Sequence, residues 1–230
     1  MTEFVAVTGA EGFIGSHLVE RLVRHGKRVR AMVLYNSFDT WGWLDTLPPD
    51  VLSEVEVVLG DVRDPASAHD LVRGARVVYH LAALIAIPYS YRAPRSYVDT
   101  NVLGTLNVLD AVRAHDTPRL VHTSTSETYG TARTIAIDET HPLQAQSPYA
   151  ASKLASEQYV LAYARGGLIE GVALRYFNVF GPRQSPASAY AAVIPLFMAA
   201  ALEGSPATVF GDGEQTRDFT YITNVVQANL

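Results

Sequence analysis

Tyr149 and Lys153, in the segment YAASK, stand four residues apart. On a helix that spacing places them on one face, one turn apart. A lysine ammonium close to a phenol favours the phenolate and draws the tyrosine toward the range of a general base. Upstream, STSETYG (124–130) offers three hydroxyls, Ser124, Thr125 and Ser126, directly after the apolar run 119–122. That run reads as a strand delivering the hydroxyls to a sheet end. A phenol and a lysine on a helix, with a strand-borne hydroxyl, are apparatus for taking a proton off an alcohol. Tyrosine and lysine meet at this spacing by chance on many helices, so the rest of the chain must decide.

The elements that would position these groups are legible. A β-branched run, Phe4 to Thr8, leads into TGAEGFIG, and a helical pattern follows through Ile14, Leu18, Leu22 and Val23 to Gly26. Gly9 permits the tight turn, Gly12 lets backbone approach a pyrophosphate, and Gly15 allows close packing, while the helix N-terminus favours the anion. The spacing is GxxGxxG rather than GxGxxG. A second strand over 28–35 ends in Val33-Leu34-Tyr35-Asn36, with neither an acid for a ribose diol nor an arginine for a 2′-phosphate. The choice between NAD and NADP is therefore open, with Asn36 and Ser37 the nearest polar candidates. NSFDTWGWLD (36–45) holds both tryptophans and reads either as a lid over the cofactor or as a surface loop packed by its own aromatics.

A strand over 55–59 precedes Gly60-Asp61-Val62, which sets an aspartate where an adenine amino group would lie. Another over 76–81 ends in HLAA (80–83), whose small residues admit a nicotinamide ribose, and His80 reads as packing in the sheet. Strands alternating with helices, including one over 97–114, predict an α/β fold with a doubly wound, Rossmann-like parallel sheet. No repeat of solenoid period is present.

Composition limits the function classes. The 230 residues carry a net charge of −5 with no basic block, which argues against a nucleic-acid surface. The absence of cysteine excludes disulfides, thiolate metal sites and a cysteine nucleophile, and no metal site is expected. No apolar run is long enough to span a membrane, and the start of the chain lacks a basic region or cleavage site. A cytoplasmic enzyme is the expectation.

TGAEGFIG, GDV, HLAA, NVLGT (101–105), STSETYG, YAASK and RYFNVFGPRQ (175–184), in this order and spacing, resemble the extended short-chain dehydrogenase/reductase family, and more narrowly its NAD-dependent nucleotide-sugar epimerases and dehydratases. The resemblance implies that Tyr149 is the base at a sugar hydroxyl, that Lys153 binds the nicotinamide ribose, and that Thr125 is the hydroxyl of the triad. It implies NAD contacts from Gly9, Gly12, Phe13, Ile14, Gly15, Asn36, Asp61, Val62, Leu81, Ala82, Ala83 and Asn101, together with Tyr149 and Lys153. Asn178 and Arg217 match positions that contact a sugar nucleotide's diphosphate, a natural place for a bidentate, always-charged partner. AAVIP (191–195), with Val193, and the surroundings of Phe210 match positions facing the nucleobase.

Glu127 discriminates among the reactions open to such a site. Once C4 of a sugar is a ketone, epimerisation needs no further acid or base, whereas 4,6-dehydration needs a group to accept the C5 proton. Glu127, two residues past Thr125, matches the base of the sugar 4,6-dehydratases; the plain alternative is a solvated loop carboxylate. Ser126 stands where dTDP-glucose dehydratases carry an aspartate that protonates the leaving water, so either Glu127 serves as both base and acid or Ser126 relays the proton. YNSFDTWGWLD, AALIAIPYSY (82–91), YVDTN (97–101) and STSETYGTA (124–132) resemble the configuration-retaining UDP-N-acetylglucosamine 4,6-dehydratases. FNVFGPRQSPASAYAAVIP (177–195) and GDGEQTRDFTYI (211–222) instead resemble UDP-sugar 4-epimerases.

The expected activity is 4,6-dehydration of a UDP-hexose, UDP-N-acetylglucosamine foremost, with 4-epimerisation as the alternative. Decarboxylation of a UDP-uronate and a catalytically dead nucleotide-binding protein rank behind. The expected organisation is a dinucleotide-binding domain over 1–176 and a partial, truncated substrate lobe over 177–230, interleaved with it. The expected partners are a UDP-sugar and a second copy of the chain, met through helices 97–114 and 149–165.

Overall fold

The computed structural model describes residues 4–187 and 191–230. Residues 188–190, within the stretch that resembles 4-epimerases, lie outside the described residues.

Six parallel strands form the central sheet in the order β3-β2-β1-β4-β5-β6: β1 (Phe4–Thr8), β2 (Arg28–Leu34), β3 (Val55–Gly60), β4 (Val77–His80), β5 (Arg119–Thr125) and β6 (Glu170–Tyr176). Chain order reverses between β1 and β4, and a crevice opens at such a switch point beyond the carboxyl ends of the strands. The helices are α1 (Phe13–Arg24), the short α2 (Pro49–Leu52), α3 (Pro65–Val72), α4 (Ile87–Arg92), α5 (Pro94–Tyr97), α6 (Gly104–Ala114), α7 (Pro148–Arg165), α8 (Val193–Glu203) and α9 (Ile222–Asn229).

Both faces of the sheet are buried over its inner strands, which accounts for strands that read as apolar runs rather than as alternating ones. Val5 and Val7 of β1 point to one side, where Leu18, Val19 and Leu22 of α1 pack with Ile222, Val225 and Val226 of α9. Ala6 points to the other, toward Leu71 and Val72 of α3, Val108, Leu109 and Val112 of α6, and Val160 of α7. Each fully buried Leu or Val contributes about 1.5–3 kcal/mol.

Local chemistry sets the helix starts. Asp64 caps α3 by accepting the Ala66 and Ser67 N–H groups, and Ser147 caps α7 through Ala150 N–H; both helices carry proline in their first turn. The helix expected over 97–114 is instead composite: α5 runs into a π-helical segment, Val98–Leu103, and then into α6. The tryptophan loop is anchored at its far end, while Phe38 and Trp41 stay exposed. Its 3-10 turn, Gly42–Thr46, buries Leu44 in the core, and Trp43 N–H donates to the Glu11 carbonyl at 3.0 Å.

After β6 a second, two-stranded parallel sheet forms from β7 (Asn178–Phe180) and β8 (Phe219–Tyr221). α8 and this sheet line one apolar pocket, and α8 leaves Leu196, Phe197, Met198 and Leu202 exposed.

Candidate active site

A cleft of about 780 Å³ lies at the carboxyl ends of β1, β2, β4 and β5, and Thr125, Ser126, Glu127, Tyr149 and Lys153 all line it. β5 continues past the expected 122 through Thr125, so the strand itself carries the hydroxyl to the cleft. The Thr125 hydroxyl engages the Tyr149 phenol and also accepts Glu127 N–H at 3.2 Å. Glu127 is exposed on the cleft wall, with its charge close enough to oppose ionisation of Tyr149.

Burial is the largest influence on Tyr149 and pushes its pKa up; the Thr125 hydroxyl works against this, while the Glu127 carboxylate and Tyr97 reinforce it. The expectation that Lys153 draws the phenol down is thus not met here, because loss of hydration outweighs the favourable contacts. Lys153 itself is buried, and desolvation brings its pKa down to about 7 against the pull of the Glu157 carboxylate. Glu157 sits one turn beyond Lys153 on α7, accepts a hydrogen bond from Ser124 Oγ at 2.5 Å, and pairs with Arg175 of β6. Ser124 therefore faces beneath the site as part of its support.

The glycine turn has the shape an anion cradle requires. Gly9 adopts φ 65°, and a Cβ there would lie 2.8 Å from Ala82 N. A Cβ at Gly15 would run into the Gly9 carbonyl, so α1 and β1 can approach this closely only with glycine in place.

Behind the turn runs a buried polar chain. Thr8 Oγ1 accepts Leu81 and Ala82 N–H at 3.0 Å each and lies 2.8 Å from His80 Nδ1. With both acceptor directions of the hydroxyl in use, its own hydrogen goes to Nδ1. His80 Nε2–H then donates to Thr105 Oγ1 at 3.0 Å, and Thr105 donates to the Asn101 carbonyl at 2.6 Å. Burial first, and Lys153 second, lower the His80 pKa to about 3, so the imidazole is neutral. As expected from the sequence, His80 packs in the sheet.

The sequence profile described as the NAD dependent epimerase/dehydratase family matches residues 5–230. The chain belongs to that family. It is 35% identical to a UDP-N-acetylglucosamine 4-epimerase from Methanobrevibacter ruminantium M1, solved with UDP-N-acetylmuramic acid, with a TM-score of 0.90 over 100% of this chain and 72% of that one. It is 31% identical to the dTDP-glucose 4,6-dehydratase DesIV from Streptomyces venezuelae, solved with NAD and TYD, with a TM-score of 0.84 over 97% and 69% of the two chains. A UDP-N-acetyl-alpha-D-glucosaminuronate decarboxylase from Bacillus cytotoxicus is 34% identical over 97% of this chain and 69% of its own length. The chain thus spans about seven tenths of each relative. It is an NAD-dependent enzyme of the nucleotide-sugar epimerase/dehydratase group, and its fold is the short-chain dehydrogenase type.

The residues present fit NAD. Gly9, Gly12, Phe13, Ile14, Gly15, Asp61, Val62, Leu81, Ala82 and Ala83, the positions that the resemblance assigns to NAD, all line the cleft. The Asp61 carboxylate is engaged by Arg63, whose side-chain hydrogen bond holds it below the usual carboxylate range.

Two expected cofactor residues are not on the cleft lining. Asn36 closes its own loop, accepting Phe38 N–H at 3.0 Å and donating to the Thr40 carbonyl at 2.9 Å. Asn101, on the π segment, is buried and joins two elements: it accepts Leu84 N–H and donates to the Leu84 carbonyl and to Ser152 Oγ. Its amide is fully used in that staple.

On the substrate side, Asn178 lines the cleft, with its amide donating to the Asp218 carbonyl at 3.0 Å. Val193, Phe210 and Arg217 do not line it; Ala192 does. Residues 205–218 are exposed throughout, and Arg217 turns back on the Thr216 carbonyl. Among the described residues, no packing holds these side chains over the cleft.

Sequence reasoning missed Glu11, Arg63, Glu157 and Arg175. Glu157 was findable, since it repeats the four-residue step from Lys153 and so shares its helix face. Glu11 lay inside the glycine motif itself.

Proposed function

We propose that the enzyme is a nucleotide-sugar 4,6-dehydratase acting on a UDP-hexose, UDP-N-acetylglucosamine foremost. The observation that carries the reading is Glu127 on the cleft wall beside the Thr125–Tyr149 pair. NAD, when bound, supplies an acceptor for the C4 hydride and gives that hydride back at C6.

The chain's own residues handle the protons. Tyr149 takes the proton of the sugar C4 hydroxyl as C4 becomes a ketone, with Thr125 orienting both phenol and hydroxyl. Lys153, which lines the cleft with Tyr149, supplies a donor for the nicotinamide ribose. The ketone acidifies the C5 hydrogen, and Glu127 accepts it as the C5–C6 double bond forms and the C6 hydroxyl departs. Glu127, or Ser126 acting as relay, delivers the proton that turns that hydroxyl into water. As C6 is reduced, the proton that Tyr149 took from the C4 hydroxyl goes to C5, which returns Tyr149 and Glu127 to their starting states. The sum is a 4-keto-6-deoxy sugar and one water, with no net redox change.

The 4-epimerase reading is favoured by the match to the M. ruminantium enzyme. It uses Tyr149, Lys153 and Thr125 alike and leaves Glu127 without a task. The two readings separate on one measurement, the mass of the product formed from UDP-N-acetylglucosamine. Loss of one water supports dehydration; a product of unchanged mass, epimeric at C4, overturns it.

Residues 1–176 would form the dinucleotide-binding domain and 177–230 part of the substrate lobe, with Asn178 at the diphosphate. A second copy would pack on α6 and α7 and the π segment between α5 and α6, where Val98, Leu103 and Tyr159 are exposed. A cytoplasmic setting fits a nucleotide-sugar substrate, and no helix among the described residues is long and apolar enough to cross a membrane.

A further inference from the structure

The end of β2 is where a dinucleotide fold usually places the acid that holds the adenosine ribose diol. Here β2 ends at Leu34, and Tyr35 and Asn36 follow. Asn36 is committed to its own loop, as described above, so the position is vacant in sequence. It is filled in space by another residue. Glu11, from the middle of the glycine motif, reaches across to the tip of β2, where its Oε1 accepts Leu34 N–H at 3.1 Å. Glu11 lines the cleft between the glycine turn and Gly60-Asp61, and Leu34 lies in register with Gly60.

Three observations give this carboxylate a ligand. Its second oxygen, Oε2, is buried and has no hydrogen-bond partner among the described residues. A buried carboxylate oxygen left unmatched is costly, so it calls for a donor. The backbone of Glu11 is fixed, because its carbonyl accepts Trp43 N–H and a Cβ on Gly42 would come within 2.8 Å of that carbonyl. Third, the arginine on this part of the cleft wall, Arg63, has both Nε and Nη2 on the Asp61 carboxylate, at 2.9 and 2.5 Å. A 2′-phosphate entering here would meet a carboxylate and an arginine already neutralised.

We infer that Glu11 receives the adenosine ribose diol and is the residue by which this enzyme selects NAD over NADP. Of the two O–H donors of the diol, the 2′-hydroxyl completes Oε2. A 2′-phosphate has none to offer at neutral pH and brings like charge instead. The tryptophan loop acquires a role in the same stroke: its 3-10 turn braces the peptide that aims Glu11. The inference rests on a dinucleotide lying against the glycine turn.

The test is equilibrium binding to the whole protein, by titration calorimetry, of NAD, NADP and NAD lacking the adenosine 2′-hydroxyl. A hydrogen bond to a charged group corresponds to about a tenfold to hundredfold change in affinity. The native protein should therefore bind NAD at least about tenfold more tightly than the 2′-deoxy analogue, and also more tightly than NADP. Glu11→Gln keeps an oxygen for Leu34 N–H while removing the charge, and should narrow the NAD-to-NADP ratio by about tenfold or more, with an unchanged melting temperature. Equal affinity of the native protein for NAD and its 2′-deoxy analogue overturns the assignment without any variant. An unchanged ratio in Glu11→Gln overturns it as well. Failure of the native protein to bind any of the three would remove the dinucleotide from the cleft altogether, which is a different result from misassigning Glu11.

Discussion

Glu157 and Arg175 form a two-armed ion pair beneath the candidate catalytic groups, with Nη2 to Oε1 at 2.5 Å and Nε to Oε2 at 3.0 Å, and Glu157 has no exposed surface. The pair links α7 to β6, and the same arginine donates to the Tyr129 hydroxyl at 2.9 Å. Glu157 also carries the Ser124 hydroxyl and is the group that favours the charged form of Lys153. Replacing Glu157 with Gln leaves a largely buried guanidinium without its counter-charge, a change that destabilises proteins by about 3–5 kcal/mol. The expected result is a clear drop in urea midpoint, larger than that of Glu170→Gln, whose pairing with Arg119 is exposed.

Glu127→Gln separates the half-reactions. The amide cannot accept the C5 proton, so water loss should fall by about a hundredfold or more. Oxidation at C4 should survive, seen as reduced nicotinamide absorbance in a single turnover. Full dehydration by Glu127→Gln would contradict the role proposed for this side chain.

Tyr149→Phe removes the phenol but keeps the ring that meets Tyr97 edge-on at 6.3 Å. Turnover should drop about 10²- to 10⁴-fold, while NAD affinity, measured by titration, stays within about threefold of native. A comparable loss of NAD binding would mean that Tyr149 acts by holding the cofactor rather than by moving a proton.

Acid should destabilise the protein through its buried imidazoles. His80 takes a proton only below about 3 in the fold, against 6.5 in the unfolded chain. Above 6.5 both states are neutral there; below it the unfolded chain binds a proton that the fold refuses, so stability falls as pH drops toward 3. The full difference is on the order of 5 kcal/mol. His122, lowered mainly by burial, acts in the same direction. The urea midpoint should decline steadily below neutrality, and His80→Gln should flatten that slope even if it lowers the midpoint at every pH.

The sheet was legible because β-branched runs and glycine turns are local signals, and β1, β2 and β4 formed within a residue or so of the expected bounds. Tyr149 and Lys153 were legible from helix periodicity, and Thr125 from the family resemblance, which chose it among three hydroxyls at a strand end. Asn101 was not, since a π segment alters helix register and such turns leave little trace in residue type. Asn36 closes an Asx-type turn in its own loop, a use of asparagine that sequence position cannot separate from a ligand contact. Phe210 and Arg217 lie on an exposed stretch, so no periodicity constrained them. Glu11 was overlooked because the glycines on either side of it dominate the reading of that motif.

α9 lies against α1, so Ile222, Val225 and Val226 share a core with Leu18, Val19 and Leu22 from the opposite end of the chain. Asn229 adds a hydrogen bond to the Tyr176 hydroxyl at 2.6 Å. During synthesis, the first βαβ unit therefore emerges about two hundred residues before the helix that covers it, some ten seconds or more at ribosomal speed. Contacts so distant in sequence slow folding, because the loop they close must be ordered first. The nascent chain should expose the apolar flank of α1 throughout that interval.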